Sequence, residues 1–576
     1  MNLLKKLIPI LDWLPRYNLD LFKGDLVGGI TIGIVLIPQG IAYALVAGLP
    51  PIYGLYAALV PQLIHAIFGT ARQVAIGPVA MDSLIVATGV STLALTGSDS
   101  YIAIAILLAL MVGVIQFLLG VFQLGFVVNF LSKPVITGFT SAVALAIGVN
   151  QFRNLFGVDF IQSDRVYVVL VDIWHNIIDL DIPTTIIGLI ACVLIILIKK
   201  INKKIPYALI IVVLGILSVK YFDVYFKDVD IVKDIPSGLP SFSVPELDMV
   251  LMRELFPIAI TLVMIGFLET ITIGKSFESK QEEYRVRPNQ ELIALGLSNI
   301  MGSLFKSYPA ASSFSRSAIN LESGSKTGVS AFIAALLVMV TLLFFTPLFY
   351  YLPKSVLAAI IIVSVFKLIS FKEARFLWRA NNLDFWLLLA TFISTLLFGI
   401  DYGIAIGVGL SLIVLIFRTS KPYTVELGKV PNSNFYRNKD RFSEVLLDNE
   451  VLVFRFDAQL FYANANYFRD RLDELVENKG KTLGLIVLDT ESINRIDSTG
   501  VEMLKERVKY FQKKGVCFYF AGVKGPVRDV LFRGMLLDVV DITHFFMRVN
   551  DAVVFYKTGD RENQKKYANY IHQAYK

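Results

Sequence analysis

Cysteine, histidine and charge are all scarce in this chain of 576 residues. The two cysteines, Cys192 and Cys517, fall in stretches of different character and read as small buried apolar residues, which excludes a disulfide framework. Four scattered histidines show no ligand spacing, so no metal site is expected. A Gly-rich phosphate loop, a nucleophile elbow and any metal-ligand pattern are also missing, so the sequence reads as neither an enzyme nor a cofactor carrier. Only 18% of the residues are charged, against roughly a quarter in an average soluble protein.

Apolar sequence takes the place of charge. The chain is 55% hydrophobic with a mean hydropathy of +0.64. From Leu26 to Phe417 the charges sit in short clusters between long apolar runs, and after Arg418 the composition is that of a soluble domain. The expected division is an N-terminal segment 1–23, a membrane domain 24–420, a linker 421–440, a cytoplasmic α/β domain 441–558 and a tail 559–576. The run from Leu3 to Leu14 is broken by Lys5, Lys6, Pro9 and Asp12. It therefore reads as a short amphipathic helix on the cytoplasmic face, not as a secretory signal.

A spanning helix needs roughly 20 apolar residues. Clear runs are 26–47, 101–122, 127–149, 184–198, 207–219, 255–273, 329–345, 353–366, 383–398 and 404–417; weaker ones are 52–68, 78–95, 290–304 and 310–321. About fourteen spans put both termini on one side of the bilayer. That side receives Arg72, Lys133, Lys199, Lys200, Lys203, Lys204, Lys372, Arg375 and Arg379. The opposite side receives loop 222–250, with Asp223, Asp228, Asp230, Asp234, Glu246 and Asp248 against Lys227 and Lys233. By the positive-inside rule the termini are cytoplasmic; the expected location is the inner (plasma) membrane. The net charge of +7 fits the same rule and calls for no nucleic-acid partner.

A shift of roughly 230 residues aligns Gly24-Asp25 with Arg253-Glu254, Gln39 with Glu269, and Pro78 with Pro309. Halves of seven spans each have opposite orientation, which is a common transporter plan. The runs at Pro78 and Pro309 are short, and each follows an extended-looking segment, 73–77 and 304–308. With Pro at the first helical position, both read as half-helices meeting at mid-membrane. Their free N–H groups and positive dipole ends would then form an anion site. Helices that begin in ordinary loops after a Pro fit the same pattern.

Ionisable residues inside the bilayer are functional candidates by default. Three stand out: Asp82, Glu269 and Arg316. Arg316 would add a fixed cation suited to oxyanions, with the hydroxyls of Ser313, Ser315 and Ser317 as further donors. A structural arginine that holds carbonyls or pairs with Asp82 is the alternative. Glu269 in low dielectric favours its protonated form and is a candidate proton carrier; a neutral or salt-bridged residue that only pins helices is the other reading. Gln39 and Tyr43 share a face at i, i+4 after Pro38. They would line the cavity, or the stretch serves helix packing through Gly28, Gly29, Gly33 and Gly40. In the soluble part strands at 451–456, 483–488 and 516–521 alternate with helices at 463–477, 500–513 and 526–534, which predicts a small α/β domain. Thr499 with Glu502 makes a capping-box pattern.

Ile37-Pro38-Gln39-Gly40-Ile41-Ala42-Tyr43-Ala44, Pro50-Pro51-Ile52-Tyr53-Gly54-Leu55-Tyr56 and Ile76-Gly77-Pro78-Val79-Ala80 resemble the SulP family of sulfate permeases and related anion transporters. Asn289-Gln290-Glu291-Leu292 and Ser313-Phe314-Ser315-Arg316-Ser317-Ala318 resemble it too, and Asp497-Ser498-Thr499-Gly500 is similar to a STAS domain. The resemblance implies seven-plus-seven inverted repeats in uracil-permease-like core and gate domains, an elevator-like movement and a homodimer. It implies an anion held between spans three and ten with contributions from spans one and eight: Gln39, Tyr43, Val79, Ser315 and Arg316 fall in the family's anion-site motifs, and Ala80, Ala311, Ser313 and Phe314 complete the expected substrate-binding set. Glu269 falls where the family's sulfate–proton symporters carry a Glu, whereas Asp82 replaces an apolar residue. Sodium-coupled bicarbonate members lack the Ser-Arg pair. Asp497, Ser498 and Thr499 become the regulatory residues, with Ser498 at the position phosphorylated in anti-sigma-factor antagonists. The expected activity is proton-coupled sulfate uptake. A bicarbonate, chloride or dicarboxylate carrier is the nearest alternative. An anion-sensing scaffold that signals to a cytoplasmic partner is the alternative of another class.

Overall fold

The computed structural model describes residues 6–559 apart from 127–131, 161, 162, 164, 177–179, 202–206, 222–228, 282 and 283. Lys203, Lys204, Asp223, Lys227, Asp228 and tail residues 560–576, named above, lie outside the described residues. Two compact units divide the chain, 1–411 and 412–576.

In the first unit, helices follow the apolar runs: α1 (Leu19–Val46), α2 (Pro51–Phe68), α3 (Ala80–Val90), α4 (Asp99–Val121), α5 (Lys133–Asn150), α6 (Ile182–Ile201) and α7 (Tyr207–Tyr221). The second half repeats the series as α8 (Met249–Gln281), α9 (Pro288–Leu304), α10 (Phe314–Glu322), α11 (Val329–Val340), α12 (Lys354–Val365), α13 (Asn382–Phe398) and α14 (Ile400–Ser420). Among the described residues, eight stretches, at α1, α2, α4, α5, α6, α8, α11 and α12, are long and apolar enough to cross a membrane. At 1.5 Å per residue, α3 and α10 reach only about 16 and 13 Å, half of a hydrocarbon core of about 30 Å.

Local chemistry sets several helix starts. The Asn18 side chain accepts from the Leu21 N–H at 3.0 Å at the head of α1, and Ser98 accepts from Tyr101 N–H at 3.2 Å before α4. The expectation that the half-helices begin at Pro78 and Pro309 is corrected: they begin at Ala80 and Phe314, after N-caps Val79 and Ser313. Both prolines belong to the preceding extended chain. That chain forms β1 (Ile76–Gly77) and β2 (Ala311–Ser312), and a two-residue ladder holds each segment straight through its Pro.

Helices α1–α4 pack with α8–α11, while α5, α6 and α7 pack with α12, and α5 with α13. Small residues permit the closest approaches. A Cβ on Gly29 of α1 would lie 2.6 Å from Ile333 of α11, and one on Gly54 of α2 would lie 1.9 Å from the Gly40 carbonyl oxygen. Packing through Gly28, Gly29, Gly33 and Gly40 is therefore realised.

The second unit carries a six-stranded sheet. Its strands are β3 (Thr424–Lys429), β4 (Tyr436–Asn438), β5 (Val451–Phe456), β6 (Leu485–Asp489), β7 (Cys517–Ala521) and β8 (Phe545–Phe546), in the order β4-β3-β5-β6-β7-β8. Strands β5 to β8 run parallel, and β3 is antiparallel to β5. Helices α15 (Ala465–Lys479), α16 (Ser498–Lys513), α17 (Gly525–Arg533) and α18 (Val549–Thr558) complete it. The segment 421–440, read as a linker, supplies β3 and β4, so the sheet starts before residue 441. Thr499 is not the cap of α16: Asp497 is, its Oδ1 accepting from Gly500 N–H at 2.8 Å. The carboxylate two residues earlier sits at the N-cap position and reaches the free N–H first.

Candidate functional site

The two halves of the membrane unit meet at the β1–β2 ladder. Ile76 stands opposite Ser312 and Gly77 opposite Ala311. The Ser313 N–H extends the ladder by donating to the Ala75 carbonyl at 3.0 Å, and Ser317 Oγ accepts from Ala75 N–H at 2.9 Å. Because the strands are antiparallel, α3 and α10 leave the ladder in opposite directions. Each brings first-turn N–H groups without intrahelical partners and a positive dipole end.

Arg316, in the first turn of α10, is 0% exposed. Its Nη1 donates to the Pro78 carbonyl at 2.9 Å and to Gln39 Oε1 at 3.3 Å. The guanidinium thus reaches from the second half of the chain to the head of the first half-helix. Its Nε and Nη2 are buried without a hydrogen-bond partner among the described residues. Gly77, which touches this guanidinium, sits at φ +152°, a backbone conformation that residues with a Cβ rarely adopt. A buried cation with two unspent donors is strongly disfavoured unless an anion completes it.

Asp82 sits in the first turn of α3, buried, with Oδ1 unpartnered. The suggested Asp82–Arg316 pair is corrected: no ion pair joins them among the described residues, because Pro78 and Gln39 hold the guanidinium. Glu269 of α8 is half-buried with its Oε2 unpartnered, and it interacts electrostatically with Asp82 and Arg316. An apolar cavity of about 30 Å³ lies against it, between Met81 of α3, Val135 and Phe139 of α5 and Leu268 of α8. Tyr43 is buried within electrostatic reach of Arg316.

The remaining candidates divide by exposure. Phe314 is 51% exposed and Ser315 is exposed beside it; Val79 and Ser313 are partly exposed. Ala80 and Ala311 are buried in the ladder region. The Ser313 side chain caps α10 through Arg316 N–H at 3.4 Å.

The sequence reading missed the residues that hold this geometry. Asn299 of α9 donates to the Ala310 carbonyl at 3.1 Å and accepts from Ala310 N–H at 2.9 Å. Thr270, next to Glu269, donates to Ser312 Oγ at 2.9 Å. Ser83 and Tyr308 share a hydrogen bond of 3.0 Å. Asp82, Glu269 and Arg316 are not the only ionisable residues inside this unit. Glu291 accepts from Thr70 N–H at 2.5 Å, Ala71 N–H at 2.9 Å and His65 Nε2 at 3.0 Å. Asp25 accepts from Lys326 N–H at 2.8 Å and Thr327 N–H at 2.9 Å. Each of these carboxylates fixes a loop that flanks one half-helix. A polar amide at Asn299 and an acid at Glu291 inside an otherwise apolar run were the available signals.

Residues 22–391 match the Sulfate permease family, and residues 444–552 match the STAS domain. The chain belongs to the sulfate permease family. It is 37% identical over 566 residues to Sulfate transporter 4.1, chloroplastic, of Arabidopsis thaliana, covering 95% of this chain and 82% of that one. It is 33% identical over 574 residues to High affinity sulfate transporter 2 of Stylosanthes hamata, covering 96% and 87%. The murine Solute Carrier 26 family member A9 anion transporter, solved in the inward-facing state, superposes with a TM-score of 0.88 at 28% identity over 96% of this chain and 94% of that one. The transmembrane domain of a cyanobacterial bicarbonate transporter, BicA, shares the fold with a TM-score of 0.59 at 23% identity, over 69% and 98%. The permease is thus a multi-pass membrane anion transporter and not an enzyme.

In the STAS domain of this permease, Asp497 also accepts from Tyr462 N–H at 2.9 Å, so it ties the loop before α15 to the start of α16. Ser498 and Thr499 are exposed. Ser498 borders a surface groove of about 810 Å³ that Lys505, Lys509 and Arg533 also line.

Proposed function

We propose that the protein takes up sulfate together with protons by an elevator-like movement of α1–α4 and α8–α11 against the remaining helices. The observation that carries this reading is the buried Arg316 guanidinium, with Nε and Nη2 unpartnered, where two half-helix ends converge. The names of the plant relatives support sulfate as the anion. Val79, Ser313 and Ser315 line the approach, Gln39 holds the guanidinium, and Tyr43, Ala80, Ala311 and Phe314 shape the surroundings.

Charge accounting supports the coupling. A dianion adds two negative charges beside one cation, Arg316, and two carboxylates without ion partners among the described residues, Glu269 and Asp82. Protonation of Glu269 and of Asp82 removes one charge each, so loading with two protons leaves the core no more charged than before. That matters because an unpaired charge in hydrocarbon is strongly disfavoured. The apolar cavity beside Glu269 faces α5, across which the moving bundle would slide. We place both termini in the cytoplasm and the chain in the inner (plasma) membrane as a homodimer, with the STAS domain free to meet a cytoplasmic partner and Ser498 as a phosphorylation site.

Radiolabelled sulfate uptake into proteoliposomes, with and without an inward proton gradient and then with sodium, tests the reading. Gradient-driven accumulation supports it. Sulfate flux without response to either gradient would make the protein an exchanger. No sulfate flux would direct the same assay to bicarbonate, chloride and dicarboxylates, and anion binding without any flux would favour the sensing scaffold. Intact mass of protein from its native host tests Ser498: a species free of phosphate rejects that assignment.

A further inference from the structure

Cationic side chains gather at the face of the membrane unit that carries the N-terminal segment. Two neighbouring cavities, of about 410 and 300 Å³, share Asp12, Trp13 and Arg72. Lys6, Arg16, Arg72, Arg285, Arg287 and Lys326 line them, with Asp12 as the acidic residue among the described lining. These six cations come from four separate segments: the N-terminal segment, the α2–β1 loop, the α8–α9 loop and the α10–α11 loop. An excess of Lys and Arg in one set of loops needs no ligand by itself. Solvated loops, however, spread like charges apart, whereas here they converge on one concavity.

The concavity is also built. The N-terminal segment roofs it: Arg287 Nη2 donates to the Lys6 carbonyl at 3.2 Å, and Gln290 donates to the Leu7 carbonyl at 3.1 Å. Trp13 is buried, and Tyr17 donates to Asp25 at 3.2 Å. On the floor, the Arg72 guanidinium lies over the Tyr284 ring, 5.2 Å from its centroid. Tyr284 in turn donates to Gln73 Oε1 at 2.6 Å, and Gln73 donates to the Lys326 carbonyl at 3.0 Å. Planar guanidinium forks suit phosphate oxygens. Either volume exceeds that of one tetrahedral oxyanion.

We propose that this cleft binds a ligand carrying two or more phosphate groups, supplied by an acidic lipid headgroup or from solution, and that it is separate from the transport site. Leu7, Leu11 and Leu14 are exposed on the roofing segment, which suits a lipid interface beside the cleft. Occupancy would bear on transport through short covalent paths: Arg72 lies just before β1, and Lys326 lies in the loop after α10. This inference goes beyond sulfate uptake and does not depend on it.

The test uses purified full-length protein in detergent and titrates inorganic pyrophosphate by calorimetry in saturating sulfate. The comparison is the double variant Lys6→Gln/Arg285→Gln, both exposed positions. In a second arm, both proteins are reconstituted in phosphatidylcholine vesicles with or without phosphatidylinositol 4-phosphate, and sulfate uptake is timed. Pyrophosphate binding that survives sulfate and weakens about tenfold in the variant supports the site with a soluble source. A change in uptake with the phosphoinositide in the parent protein alone supports it with a lipid source. No binding and no lipid response overturns the proposal. So does pyrophosphate binding that sulfate abolishes, or any effect that the double variant shares in full. The calorimetric arm needs no transport, so failure here and failure of the sulfate reading are separable.

Discussion

The two half-helices begin alike in backbone and differ in side chain. Helix α3 starts after Val79, which has no side-chain cap, and carries Asp82 in its first turn. Helix α10 starts after Ser313, whose hydroxyl caps it, and carries Arg316 in its first turn. An acid beneath a helix N-terminus is favoured by the dipole, and a cation there is opposed by it. Arg316 therefore spends its hydrogen bonds away from its own helix, on Pro78 and Gln39 of the first half. An inverted repeat supplies two similar backbones, and the proposed anion site rests on one half sending its cation to the other. Neither half has the site alone.

Four experiments break or sharpen that asymmetry, and the largest effect is expected at Arg316. Arg316→Ala should lower sulfate uptake in proteoliposomes by at least about 100-fold, and Arg316→Lys should recover little, since a point charge cannot serve Pro78 and a ligand at once. Wild-type affinity in Arg316→Ala would make the residue purely structural. Glu269→Gln comes next: accumulation driven by a pH gradient should vanish while exchange of labelled for unlabelled sulfate continues. Accumulation that persists would remove Glu269 from the coupling. Asp82→Asn should reduce gradient-driven accumulation by about threefold, because one of two carboxylates able to take up charge is gone; a loss as large as that of Glu269→Gln would make the two acids equal partners. Ser313→Ala should be mildest, destabilising by about 1 kcal/mol through loss of the α10 cap. Thermal melting of the purified protein reads it, and Val79→Ser should shift the melt the other way if the two ends are truly equivalent.

Much of this was readable beforehand, for identifiable reasons. Apolar runs of spanning length locate helices because the bilayer leaves backbone polar groups no other partner. Short runs after extended chain, at Pro78 and Pro309, pointed to half-helices, although the helices begin two and five residues later. That delay is set by the β1–β2 ladder, a pairing between residues far apart in the chain that no local pattern encodes. Arg316 was singled out as a charge in an apolar stretch, but its partners were not, since Gln39 and Pro78 reach it only through folding. Asn299 and Thr270 escaped notice, and Glu291 was noted only as part of a family motif, because polar side chains on a membrane helix mark no partner until the facing loop is in place.

The sequence by itself determined the membrane class, the two-part organisation, the inverted repeat and the family. These follow from hydropathy, charge placement and short motifs, which are local properties. The tertiary structure alone decided that Arg316 crosses to the other half and keeps two donors unspent, and that Asp25 and Glu291 clamp the loops beside the half-helices. It also decided that six scattered cations share one cleft under the N-terminal segment. Each of these is a contact between residues distant in the chain, and only the folded backbone brings such groups within hydrogen-bonding distance.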